Sequence, residues 1–214
     1  MNWDLMILQF VTLIISLTVH EAAHALFALW GGDRTAYYAG QVTLNPIPHI
    51  RREPFGMVVL PLLSLYMSGG GMCFGFAHAP IDPIWAYHHP KKAALMSAAG
   101  PLANLLLAVI AFAVLWFIGR PDSDSMEAVY RIAGWFLVLN LLLAVFNVIP
   151  IPPLDGAGIV SGLYPPARKL YDAIGRIPYS GIVIFVLLIK VVPYLFGPVL
   201  RTVTSLLPYP LRLS

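Results

Sequence analysis

The sequence predicts an all-α polytopic membrane protein. Three observations carry that expectation: a shortage of charged residues, apolar runs long enough to cross a bilayer, and basic residues gathered where those runs end. Of 214 residues, 59% are hydrophobic and 11% are charged, against about 45–50% apolar and about 25% charged in soluble domains. A chain so poor in polar groups has a bilayer as its solvent. The net charge of +3 does not point to nucleic acid. Its Lys and Arg residues are scattered in short groups and form no stripe interleaved with aromatics, so no nucleic-acid partner is expected. One cysteine, Cys73, excludes an internal disulfide.

A hydrocarbon core of about 30 Å takes about 20 helical residues. The first such run is Leu5–Trp30. No Lys or Arg precedes Arg34, so the run lacks the positive flank of a signal peptide and is read as a retained helix. The next apolar stretch, Phe55–Ser68, is too short to span and runs into Gly69-Gly70-Gly71 and Gly75. Arg34, Arg51 and Arg52 precede it, and Lys91 and Lys92 follow it. Basic residues collect on the cytoplasmic side, so both flanks are expected there, with residues 55–79 a re-entrant segment. Such backbone is tolerated where protein or a wet cavity surrounds it.

Two further runs, Ala93–Ile118 and Ala128–Ile149, are joined by a loop with Asp122, Asp124 and Glu127 against Arg120, which suits the outer side. Arg168, Lys169 and Arg176 bring the following loop back inside. A last apolar region, Gly181–Leu200, carries Lys190 and is interrupted by Pro193 and Pro198. It is expected to kink, or to continue as an interfacial piece within residues 181–207. The helices then run inward, outward, inward and outward. Residues 1–214 read as one membrane-embedded domain, with core helices near 5–30, 93–118 and 128–149. The cell (plasma or inner) membrane is the expected location.

Ionisable residues inside a span are costly and are read first as functional. His20-Glu21-Ala22-Ala23-His24 lies within the first span. Four residues advance a helix slightly more than one turn, so both imidazoles project from one face and can grip one metal ion. Glu21, beside His20, can reach the attacking water without being a ligand, the general-base placement of zinc hydrolases. A catalytic zinc takes three protein ligands and keeps a fourth position open. Asp155, in Asn147-Val148-Ile149-Pro150-Ile151-Pro152-Pro153-Leu154-Asp155-Gly156, is the best-placed acid. It follows the third core helix, whose end the topology brings to the inner side. His20 lies fifteen residues after Leu5, about 22 Å along a helix, and so also sits toward the inner leaflet. Alone, Asp155-Gly156 would read as a turn or helix cap.

These motifs resemble those of the site-2 protease family of intramembrane zinc metalloproteases. The family's His-Glu-x-x-His is matched at His20–His24, and its Asn-x-x-Pro-x-Pro-x-Leu-Asp-Gly at Asn147–Gly156. Ala99-Gly100-Pro101-Leu102-Ala103-Asn104 resembles the family's central helix, and Leu44-Asn45-Pro46-Ile47-Pro48-His49 a loop of its short members, though Arg51-Arg52-Glu53-Pro54 departs from that loop. The resemblance covers roughly residues 15–165 and implies a short form without PDZ or CBS domain. It implies a three-helix catalytic core, one zinc per chain on His20, His24 and Asp155, Glu21 as base, and Asn147 orienting substrate or stabilising the oxyanion. The expected partners are transmembrane protein substrates within the lipid bilayer, with the active site toward the cytoplasm.

Other residues carry less. His88 and His89 stand beside Lys91 and Lys92, where an interfacial role is expected. His49 and His78 flank the re-entrant stretch as candidates to line an entrance. Asn104 sits on a small-residue face with Ala99, Gly100 and Ala103 and reads equally as a substrate contact or an interhelical hydrogen bond. Two rival functions fit the sequence less well. A membrane serine protease would need more than Ser68-Gly69 or Ser180-Gly181, which lack a Gly-x-Ser-x-Gly frame. A metal-binding transporter would stage ionisable groups across several spans, and an inactive scaffold would usually lack Glu21.

Overall fold

In the computed structural model, residues 2–211 and 213 are described, the side chains at 182 and 185 excepted. All their regular structure is helical. Helix α1 (Trp3–Gly31) is N-capped by Asn2, whose side chain accepts from the Leu5 N–H, and is closed by Gly32 in the left-handed region. Its last carbonyls take donors from outside: Trp85 Nε1 at 3.3 Å and Lys92 Nζ at 3.0 Å both reach the Gly31 carbonyl. Beyond it come α2 (Thr35–Tyr38) and α3 (Pro46–Arg52), the latter with Asn45 as N-cap and Pro46 in its first turn.

The chain then makes an excursion. A π-helical turn over Phe55–Val59 leads into α4 (Leu60–Met67). Pro61 has no N–H to return to the preceding turn, and such interruptions are where the wider register occurs. Gly69 and Gly70, at φ 62° and 90°, reverse the chain. The Gly70 carbonyl is held by Gln9 Nε2 of α1 at 3.0 Å. The return leg is extended and lies against the outgoing one, with the Phe76 N–H on the Gly56 carbonyl at 3.1 Å and Arg52 Nε on the His78 carbonyl at 3.2 Å. The two ends of the excursion therefore meet. Asp33 fixes that junction to α1. It accepts from Thr35 N and Oγ1 at 2.8 and 2.6 Å, and from the Asp82 N–H at 2.8 Å. Burial works against its charge, but these hydrogen bonds prevail and hold its carboxyl below the usual carboxylate range.

Short α5 (Pro83–His88) precedes α6 (Pro90–Ile118), which is followed by α7 (Asp124–Asn147), α8 (Asp155–Leu163), α9 (Pro166–Gly175) and α10 (Ser180–Ser205). Among the described residues four helices, α1, α6, α7 and the Val186–Ser205 part of α10, are long and apolar enough to cross a membrane. Within α10 the helix continues through Pro193 and Pro198.

Helix α6 is the hub, packing against α1, α7 and α8. Its contact faces carry Ala93, Ala94, Ser97, Ala99, Gly100, Ala108 and Ala111, all buried, and small residues let helices approach closely where lipid supplies no hydrophobic drive. One apolar cluster unites α6 and α7 through Leu115, Tyr130 and Leu137, with Phe196 of α10 and the tail against it. A second unites α1, α7 and the excursion through Leu13, Leu17, Met57 and Leu139. The sequence reading did not separate α8 and α9, since neither contains an apolar run of spanning length. Helix α8 is set against α6 by close approach: a side chain at Gly158 would strike Ser97, and one at Gly162 would strike Pro90 and Ala94. Tyr171 of α9 secures the turn before α8, its hydroxyl donating to the Pro150 carbonyl at 2.9 Å.

Candidate metal centre

The helical period brings His20, Glu21 and His24 to the buried side of α1, at 4%, 3% and 6% exposure. The two rings meet edge to face with centroids 4.6 Å apart. Their Nε2 atoms are 3.0 Å from one another. Asp155, the first residue of α8, faces both: Oδ2 is 3.1 Å from His20 Nε2, and Oδ1 is 3.3 Å from His24 Nε2.

The far nitrogens determine what these atoms offer. His20 Nδ1 lies 2.5 Å from Asn104 Oδ1, and His24 Nδ1 lies 2.7 Å from the Met96 carbonyl. Both partners are acceptors, so both Nδ1 atoms donate. In neutral rings, each Nε2 then presents a lone pair to the other and to Asp155. Three electron-pair donors thus converge without a hydrogen between them, and Asp155 Oδ2 has no hydrogen-bond partner. A cation resolves that arrangement. Ligands at about 2.0–2.2 Å in a tetrahedral zinc shell stand about 3.3–3.6 Å apart, a few tenths of an ångström beyond the 3.0, 3.1 and 3.3 Å found here.

The surroundings fit as well. Gly100 of α6 faces the cluster so closely that a Cβ there would lie 2.6 Å from His20 Nε2 and closer still to His24 Nε2. The missing side chain leaves the space between the imidazoles free. Glu21 Oε2 is buried without a hydrogen-bond partner, as expected of a carboxylate that serves something other than the protein. Ligand atoms of His20, Glu21 and His24 all lie within 4.8 Å of one another, the one such grouping among the described residues. Two carboxylates therefore border the histidine pair, Asp155 against both Nε2 atoms and Glu21 one residue from His20.

Other residues singled out from sequence fall elsewhere. Asn147 is half-buried at the end of α7, and its Nδ2 donates to the Leu143 carbonyl at 3.0 Å, with no hydrogen bond to the cluster. Asn104 is fully buried, and its amide is engaged by His20, Ser16 and Asn140. That is an interhelical hydrogen bond, and it leads to His20. His49 is buried and donates from Nε2 to the Thr43 carbonyl at 3.0 Å. His78 is largely exposed, 3.9 Å from Glu53, and His89 bonds the Trp85 carbonyl. The sequence reading missed Met96, Asn140 and Ser16. Their only signal was a polar group, or a carbonyl, at the depth of the histidines on a neighbouring helix.

Comparison with known proteins bears on the same residues. The family model for peptidase family M50 matches residues 8–123 and 118–189, which include both motifs. The chain is 37% identical over 165 residues to "Putative zinc metalloprotease YwhC" of Bacillus subtilis, covering 74% of this chain and 70% of that one. It is 34% identical over 146 residues to "Putative zinc metalloprotease Rip2" of Mycolicibacterium smegmatis, covering 68% of this chain and 52% of the relative. The chain thus spans about half the length of Rip2. A shorter match, 38% over 74 residues, links it to "Putative zinc metalloprotease MJ0611" of Methanocaldococcus jannaschii, covering 35% and 36% of the two chains. No solved structure gives a significant match. With the family match running through the histidine motif, the central helix and the Asp155 turn, this multi-pass membrane chain belongs to peptidase family M50, the site-2 protease family.

Proposed function

We propose that the chain hydrolyses peptide bonds of membrane-spanning substrates, with one zinc held by His20, His24 and Asp155 and with Glu21 as general base. The observation that carries this reading is the convergence of the two Nε2 atoms and the Asp155 carboxylate at 3.0–3.3 Å beside a buried, unpartnered Glu21 oxygen. Bound zinc supplies Lewis acidity, polarising the scissile carbonyl and acidifying the attacking water. Glu21 takes a proton as the water oxygen adds to the carbonyl carbon. It then delivers that proton to the amide nitrogen as the C–N bond breaks, and returns to carboxylate. Asp155 supplies negative charge against the metal and, through the α8–α6 contact, fixes the ligand set. Asn147 has a second amide hydrogen beyond the one given to Leu143, available to an oxyanion or to substrate backbone.

A helical substrate hides its peptide bonds in its own hydrogen bonds and must unwind before attack. The glycine-containing excursion over residues 55–79 is the proposed edge or gate for that step. The distribution of basic residues supports an active site toward the cytoplasmic side of the cell membrane.

The test separates base from ligand. Glu21→Gln should keep zinc and lose cleavage by about 10²–10⁴-fold, because the near-isosteric amide cannot accept a proton. Asp155→Asn should weaken zinc binding, because a neutral amide oxygen compensates the ion's charge less in a low-dielectric site. Zinc content and cleavage of a transmembrane substrate would be measured on both variants. Loss of metal in Glu21→Gln with retention in Asp155→Asn would reverse the two roles.

A further inference from the structure

Behind His20 lies a chain of polar side chains that the proposed hydrolysis does not use. Ser16 of α1, Asn104 of α6 and Asn140 of α7 are fully buried. Such groups are costly in an apolar span unless bonded, and here the direction of every bond can be deduced. Ser16 Oγ donates its one hydrogen to the Thr12 carbonyl at 2.7 Å. Its 2.9 Å contact with Asn140 Nδ2 is therefore one in which Asn140 donates. The same Nδ2 gives its other hydrogen to the Phe136 carbonyl at 2.9 Å. Asn140 must then turn Oδ1 toward Asn104, whose Nδ2 donates to it at 2.8 Å and to the Ser16 carbonyl at 3.3 Å. With both hydrogens used, Asn104 can offer His20 only an acceptor.

We propose that Asn140 is a positioning residue: acting through Asn104, it locks His20 in the tautomer protonated on Nδ1, and so sets zinc affinity from a helix that carries none of the three ligands. This rests on reading His20 as a ligand. If the Asn104 amide turned over, its N–H would face His20 Nδ1 and favour a proton on Nε2 instead. That proton would point among His24 Nε2 and Asp155, 3.0 and 3.1 Å away, in the space the metal needs. His24 requires no such device, because its Nδ1 partner is the Met96 carbonyl, a backbone group that cannot turn over.

Zinc affinity of the purified full chain in detergent, by competition with a chromophoric chelator, tests this. Loss of an outer hydrogen-bond partner typically weakens metal binding by about 10–100-fold, and Asn140→Leu should fall in that range although it touches no ligand. Asn140→Asp, buried and hence protonated, keeps an acceptor toward Asn104 and should remain within about threefold of the parent on that scale. Ser16→Ala removes one of the two anchors of the Asn140 amide and should shift affinity the same way by less, which keeps the test open if the leucine variant misfolds. Nitrogen-15 spectra of the metal-free protein should show His20 protonated on Nδ1 in the parent and a tautomer mixture in Asn140→Leu. If the parent itself binds no zinc, the ligand reading of His20 fails. If it binds, but both Asn140→Leu and Ser16→Ala stay within about twofold of it with the tautomer unchanged, the relay is overturned. Equal loss in Asn140→Asp with an unchanged tautomer would mean packing alone, and would overturn it too.

Discussion

Gly100→Ala is the smallest change that should empty the proposed metal centre without removing a ligand. The added Cβ would sit 2.4–2.6 Å from atoms of both imidazoles, whereas ordinary contact begins near 3.4 Å. Both rings would have to retreat by about 0.8–1.0 Å, the difference between those distances. Metal bonds tolerate about ±0.2 Å, so the rings cannot move that far and still share one zinc with Asp155. A displacement near 1 Å also costs on the order of 10²-fold in rate by misplacement alone. The gain of about 0.5–1 kcal/mol for alanine over glycine in a helix interior is smaller than the cost of about 1–3 kcal/mol for overpacking a close-packed interface, because both rings are held in place by their Nδ1 hydrogen bonds. Zinc content and substrate cleavage should therefore collapse together, while the metal-free protein still folds with a modestly lowered melting temperature. Metal analysis, a cleavage assay and thermal melts on one detergent preparation would measure all three. Stoichiometric zinc and full activity in Gly100→Ala would refute the placement of the metal between these rings.

Three further outcomes are expected. Asn147→Ala should retain zinc and lose turnover by about 2.7–4 kcal/mol in the barrier if the amide serves the oxyanion; unchanged turnover would remove Asn147 from the mechanism. Cysteines placed at Arg51 and Lys91 in a Cys73→Ala background should label alike with an impermeant thiol reagent, and opposite labelling would redraw the helix directions. Asp33→Asn should destabilise the detergent-solubilised protein at pH 7 by about 1–3 kcal/mol. Because the folded-state pKa of Asp33 is depressed, its stabilisation is present above the unfolded value of about 3.9 and disappears as pH falls through the lower folded value. Melting temperatures of parent and variant should accordingly converge on acidification, and a constant gap would argue against a charged Asp33 at the junction.

The parts of this protein legible in its sequence are those governed by one segment at a time. A run such as residues 3–31 is apolar enough to cross a bilayer whatever its neighbours do, and a helix of 3.6 residues per turn must put His20 and His24 on one face. The Asn147–Gly156 motif was legible as well, but only as a candidate. Its proline-rich approach ends a helix without saying where the chain goes next. Asp155 reaches the histidines because Gly158 and Gly162 let α8 lie directly on Ser97 and Ala94 of α6, a contact between residues some sixty positions apart.

The rotation of each helix about its own axis was decided only in three dimensions. In the sequence Asn104 reads equally as a substrate contact or an interhelical hydrogen bond, and Asn140 carries no signal beyond being one polar residue in an apolar run. The packing of small residues on α6 against α1 and α7 turns both asparagines inward at the depth of Ser16. A periodic pattern specifies which residues share a face but carries no coordinate for the helix opposite. The hydrogen-bond directions that end at His20 exist only once three helices have been brought together.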